Sequence, residues 1–82
     1  MSIVKLSIAQ IKAARALLGW SQDDLAKRSG VSLPTISRLE AEGGEIGGRA
    51  ETGEKLRRAL EKAGIEFTNG NAPGVRLRNK KA

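Results

Sequence analysis

The segment GVSLPTISRLE, residues 30–40, sets Leu33, Pro34, Thr35, Ser37 and Arg38 within six positions of one another. These side chains hold no general base, no metal ligand set and no activated nucleophile. They do hold groups suited to the edges of base pairs. Apolar carbons fit thymine methyls, hydroxyls fit donors or acceptors, and a guanidinium fits O6 and N7 of guanine. The rest of the chain narrows the choice. It has no His, Cys or Tyr, which removes imidazole acid–base chemistry, thiol nucleophiles, disulfides and zinc sites together. Turnover would have to rest on Lys, Ser or carboxylates, so we expect no enzyme, no metal and no cofactor.

With 82 residues the chain is read as one small domain with a modest core. Its longest apolar run is far shorter than a membrane span, and MSIVKLSIAQ lacks the layout of a secretory signal. The expectation is a cytoplasmic, nucleoid-associated protein with no membrane partner. The formal charge is +6, which favours polyanions without choosing among them. Arg76, Arg78, Lys80 and Lys81 carry four of those six charges within the last eight residues. A solubilising tail explains them as well as a polyanion does.

The spacing of apolar residues predicts the elements that must position residues 33–38. LSIAQIKAARALLGW reads as a first helix, with Ser7 and Gln10 as a capping box and Gly19 as its end. Ser21 caps a second helix with Asp23 and Asp24 in the first turn, Trp20 placed to staple onto Leu25, and Gly30 as terminator. Ser32 caps a third, LPTISRLEAE, where Pro34 costs nothing because first-turn amides have no helical partner. After the loop GGEIGGR, Thr52 is expected to cap a fourth helix ended by Gly64. Ile65 and Phe67, then Val75 and Leu77, alternate with polar residues around TNGNAPG and predict a hairpin. The fold class is mainly α: a four-helix helix-turn-helix bundle over 1–64, a C-terminal β-hairpin over 65–78 packed on it, and a basic tail over 79–82.

Two short helices joined by a glycine-bearing turn make a helix-turn-helix unit. Ala26 is small where the second helix of the pair meets the first, and Gly30 occupies a turn position where a side chain is expected to clash. Leu25, Val31, Ile36 and Leu39 are assigned inward. Leu33, Pro34, Ser37 and Arg38 are thereby left on the outer face, with Thr35 between them.

From Ile8 to Phe67 the chain resembles the lambda-repressor-like, Cro-type regulators, also called the xenobiotic-response-element type. RALLGWSQDDLAKRSGVSLPTISRLE, residues 15–40, and LRRALEKAGIEF carry the likeness. It implies a four-helix bundle that binds double-stranded DNA as a transcriptional regulator. It also implies that Gln22 braces a phosphate and a recognition-helix side chain, and that Leu33, Pro34, Ser37 and Arg38 face bases. Thr35 then touches phosphate or a base, and Arg15 pairs with Glu40 to hold the first helix to the third. Leu33 and Pro34 stand where some relatives carry glutamine, so bidentate reading of adenine is not available there.

The full set of candidate DNA contacts is Gln22, Ser32, Leu33, Pro34, Thr35, Ser37, Arg38 and Arg49. Ser32 enters through the amides at the start of its helix, and Arg49 is the loop's cation. Several of these have a plainer reading. Arg38 could pair with Glu42 four residues on, Gln22 could simply suit a first turn, and Leu33 or Ser37 could be incidental exposure. One module makes a small contact with DNA, so a homodimer on a pseudo-palindromic site is expected, with the hairpin edge as its interface. The rival reading is an antitoxin-like or adaptor protein of the same fold that holds a protein partner. No sensory domain is expected beyond the bundle and hairpin.

Overall fold

The computed structural model describes residues 6–46, 50–68 and 73–78. Helix α1 (Ile8–Leu18) starts at Ser7, whose hydroxyl accepts from the Gln10 amide while the Gln10 side chain accepts from the Ser7 amide. Helix α2 (Gln22–Ser29) repeats the device with Ser21 and Asp24. Donation from the Ser21 backbone amide, and from its hydroxyl, holds the Asp24 carboxyl below its ordinary pKa. Helix α3 (Leu33–Glu42) follows after only Gly30, Val31 and the cap Ser32. All three starts read from the sequence are thus in place.

Two readings need correction. Helix α4 runs Ala50–Lys62, so Thr52 lies inside it and is no cap. Gly53, in its first turns, sits under Ile46, and a Cβ there would lie 3.3 Å from the Ile46 side chain. A glycine inside a helix costs about 1 kcal/mol against alanine, but it lets the buried Ile46 lie flat on α4. Gly30 is the second correction. No atom lies within 4 Å of a Cβ built on it, so steric clearance is not why it is glycine. Its φ of 80° is the reason, since a left-handed residue between α2 and α3 costs any side chain about 1–2 kcal/mol.

The core gathers Ile8, Ile11 and Ala14 of α1, Leu25 of α2, Val31 of the turn, Ile36 and Leu39 of α3, and Leu56 and Leu60 of α4, with Leu6, Ile46 and Ile65 closing it. Helix α2 packs chiefly on α4 and α3. The segment after α3 folds back on the chain start, where Ile8 donates to the Gly44 carbonyl at 2.7 Å and Ile46 to that of Leu6 at 3.3 Å. Trp20 is half-buried against this core, of which Leu25 is part. The Arg28 guanidinium lies 4.8 Å from its ring centroid. The indole thus reaches along α2 to its last turn, which goes beyond the simple staple.

Strands β1 (Ile65–Thr68) and β2 (Gly74–Leu77) pair antiparallel, Ile65 opposite Leu77 and Phe67 opposite Val75. The alternation read from the sequence holds only in part: Ile65, Phe67 and Val75 pack on the core and Glu66 and Arg76 form an ion pair across the strands, but Leu77, read as alternating with Val75, is exposed at the end of β2. Strand β2 lies along α1 and β1 along α4. The buried Gln10 amide makes the seam, its Nε2 donating to the carbonyls of Gly74 (2.9 Å) and Thr68 (3.3 Å). The sequence marked Gln10 only as a capping residue. Its second task, tying α1 to the hairpin, carries no local signature. Among the described residues no helix is long and apolar enough to cross a membrane.

Candidate nucleic-acid interface

Helix α3 turns Ile36, Leu39 and Glu40 inward. At 3.6 residues per turn this leaves Pro34 and Arg38 on the opposite side and Ser37 on the flank, while Leu33 stands one turn before Ile36 at the very start of the helix; all four are exposed. Leu33 keeps 39% of its surface open to solvent, as Leu77 of β2 does and less than Leu17 of α1. Pro34 stiffens the first turn. Ser32 fixes where it begins, its hydroxyl accepting from the Thr35 amide at 3.4 Å and donating to the Thr35 hydroxyl at 2.9 Å. Thr35 is therefore half-buried and tied to the cap. Because Pro34 has no N–H and the Thr35 amide is capped, Ser32 and Leu33 keep the amides without a helical partner.

A polar network sets how α3 is presented. The Arg15 guanidinium grips Glu40 in a fork, Nε to Oε2 at 2.9 Å and Nη2 to Oε1 at 2.7 Å, and its Nη1 donates to the Trp20 carbonyl at 2.9 Å. Gln22, the first residue of α2, donates from Nε2 to Glu40 Oε1 at 2.9 Å and accepts from the Ser37 hydroxyl at 3.0 Å. The resemblance implied two separate devices, an Arg15–Glu40 pair and a bracing Gln22. The structure joins them through one carboxylate. Burial works to raise the pKa of Glu40, but the hydrogen bonds from Arg15 and Gln22 and the charges of Arg15 and Lys12 outweigh it. The carboxyl therefore sits below its ordinary pKa. The same hydrogen bond, accepted by Glu40, raises the Arg15 pKa against the opposing effect of burial.

Arg38 is exposed, and among the described residues it makes no ion pair, with Glu42 or any other acid. The surface-bridge reading is thus unsupported. Of the eight candidate contacts, Ser32, Leu33, Pro34, Thr35, Ser37 and Arg38 share the outer half of α3 or its cap, and Gln22 joins them through Ser37. Arg49 lies outside the described residues, as do Lys80 and Lys81.

Helix α2, the glycine turn and α3, with α3 locked inside and bare outside, make up a helix-turn-helix unit. The helix-turn-helix family model, of the lambda-repressor and xenobiotic-response-element type, matches residues 11–63. This is well over half the chain. The chain belongs to this family, and it is a DNA-binding helix-turn-helix regulator. No curated protein matches it.

Proposed function

We propose that the chain regulates transcription by reading a specific duplex sequence with the outer half of α3 in the major groove, with α2 lying across the backbone. The observation that carries this is the exposed, unpaired Arg38 beside Leu33, Pro34 and Ser37 on a helix whose other side is locked by Leu39 and Glu40. A solvent face would gain by pairing that cation or by replacing Leu33 with a polar residue. Arg38 takes a guanine edge, Leu33 and Pro34 supply apolar contact, and Ser32, Thr35 and Arg49 stand toward phosphate. Gln22 serves there too, since only one of its two Nε2 protons is spent on Glu40. Lys80 and Lys81 add sequence-independent attraction.

The working unit is a dimer on a pseudo-palindromic site, with half-sites about one helical turn apart. One module buries only about 600–1,000 Å² on DNA, a small area for tight specific binding. Of the two hairpin edges, β2 is the better interface. Its Leu77 is 39% exposed, whereas Ile65 on β1 is already used in the core. The protein acts where its DNA lies, in the cytoplasm and on the nucleoid. Selection of bound fragments from genomic or random duplexes, followed by sedimentation on the selected site, tests both parts. A shared two-fold motif carrying two copies is the expected result. No enriched motif contradicts sequence reading, and one copy per site contradicts the dimer.

A further inference from the structure

The network behind α3 does more than hold it: it fixes the direction of every hydrogen bond in the chain from Arg15 to Ser37. Arg15 donates to Glu40, which as an ionised carboxylate can only accept. Gln22 must therefore turn its NH2 toward Glu40, which turns its carbonyl oxygen toward α3. That oxygen is also purely an acceptor, so the Ser37 hydroxyl at 3.0 Å must spend its single proton on it. What Ser37 then presents outward is a pair of lone pairs and no proton.

Resting on the reading that α3 enters the major groove, we propose that Ser37 is a specificity residue of fixed polarity, an acceptor that selects the exocyclic amine of adenine or cytosine because Gln22 and Glu40 hold its proton inward. A free serine hydroxyl serves either kind of base edge and discriminates poorly. Here it is made one-sided. It is unable to donate to guanine O6, thymine O4 or a phosphate oxygen without breaking its bond to Gln22. Gln22 and Glu40 are positioning residues in this scheme, and Ser37 makes the contact.

The test uses the whole protein and the duplex it selects. Comparing wild type with Ser37→Ala locates the base pair whose preference depends on Ser37. At that pair, deleting the amine (purine for adenine, or 2-pyrimidinone for cytosine) is expected to weaken wild-type binding about three- to tenfold, the value of one neutral hydrogen bond. Ser37→Ala is indifferent to the deletion. Gln22→Met weakens all binding by losing a backbone contact. It also frees the Ser37 proton, so the ratio between amine-bearing and carbonyl-bearing bases at that pair falls toward one. The proposal is overturned if removing guanine O6 or thymine O4 there hurts wild type more than removing the amine, or if Gln22→Met keeps the wild-type ratio. A sharp site at which Ser37→Ala shifts no base preference overturns this proposal alone, whereas a wild-type protein with no preferred duplex overturns the DNA reading beneath it.

Discussion

Helices α3 and α4 both show water a face that carries arginine, and they use it in opposite ways. On α4, Glu54 holds Arg57 at 2.6 Å and Arg58 at 3.1 Å, and Glu61 holds Arg57 again at 2.8 Å. Both arginines there are held within the helix, while Lys55 and Lys62 make no ion pair among the described residues. On α3 the single Arg38 has no acid at its side among the described residues, and its neighbours are a leucine, a proline and a serine. Counting basic residues would choose α4 as the surface for a polyanion. The availability of the cation, and the rigidity behind it, point to α3. Where α3 carries a full ion pair, the pair lies inward at Arg15 and Glu40 and serves to aim the helix.

That contrast can be attacked first at its base. Glu40→Ala leaves the half-buried Arg15 with no counter-charge and only the Trp20 carbonyl as partner, and releases Gln22. We expect it to cost about 3 kcal/mol in urea unfolding, the low end for stripping one member of a buried pair, because Arg15 keeps some access to water. The pH dependence has a definite sign. The carboxyl's pKa is lower in the folded than in the unfolded chain, so its stabilisation is complete above the unfolded value, about 4.3, and is lost as pH falls through the lower folded value. Glu40→Gln removes that part of the acid sensitivity. An unchanged acid unfolding curve would show that the network does not aim α3.

The second comparison is between the arginines themselves. Arg38→Ala is expected to weaken binding to the selected duplex by about 1–3 kcal/mol and to relax preference at one base pair, with little change in stability. Arg58→Ala is expected to leave the preference intact. Equal losses on selected and random DNA for Arg38→Ala would remove its reading role. A smaller effect concerns the turn that sets α3 against α2. Gly30→Ala meets no neighbouring atom, so thermal unfolding is expected to report only the cost of a left-handed alanine, about 1 kcal/mol. A much larger loss would mean hidden crowding. The smallest effect is on α4, where Glu54→Gln breaks solvent-screened pairs with Arg57 and Arg58 and is expected to leave thermal unfolding nearly unchanged.

Much of this arrangement is legible in the residues. Ser7, Ser21 and Ser32, with Gly19 and Gly30, punctuate the first three helices through local hydrogen bonds and φ values, which depend on neighbours only a few positions away. The outer face of α3 follows from helical period once Ile36 and Leu39 are set inward. Features that join distant segments were less readable. Thr52 offers the chemistry of a cap, yet α4 already includes Ala50 and Glu51, and Ile46 packs over Gly53 in its first turns, a contact no local rule weighs. Gln10 reaches the hairpin some sixty residues later through one amide. Ser37 reads as a plain exposed hydroxyl until Gln22 is seen to take its proton. Residues that act through a partner on another helix reveal half of their role in sequence, and the partner supplies the rest.

Chemical-shift mapping of the labelled protein titrated with its selected duplex tests most directly whether the unpaired face of α3, and not the more basic face of α4, meets DNA. The account predicts the largest changes at Gln22 and at residues 32–38, with the Arg57 and Arg58 amides near their free positions. Changes concentrated on α4 while Ser37 and Arg38 stay still would contradict it.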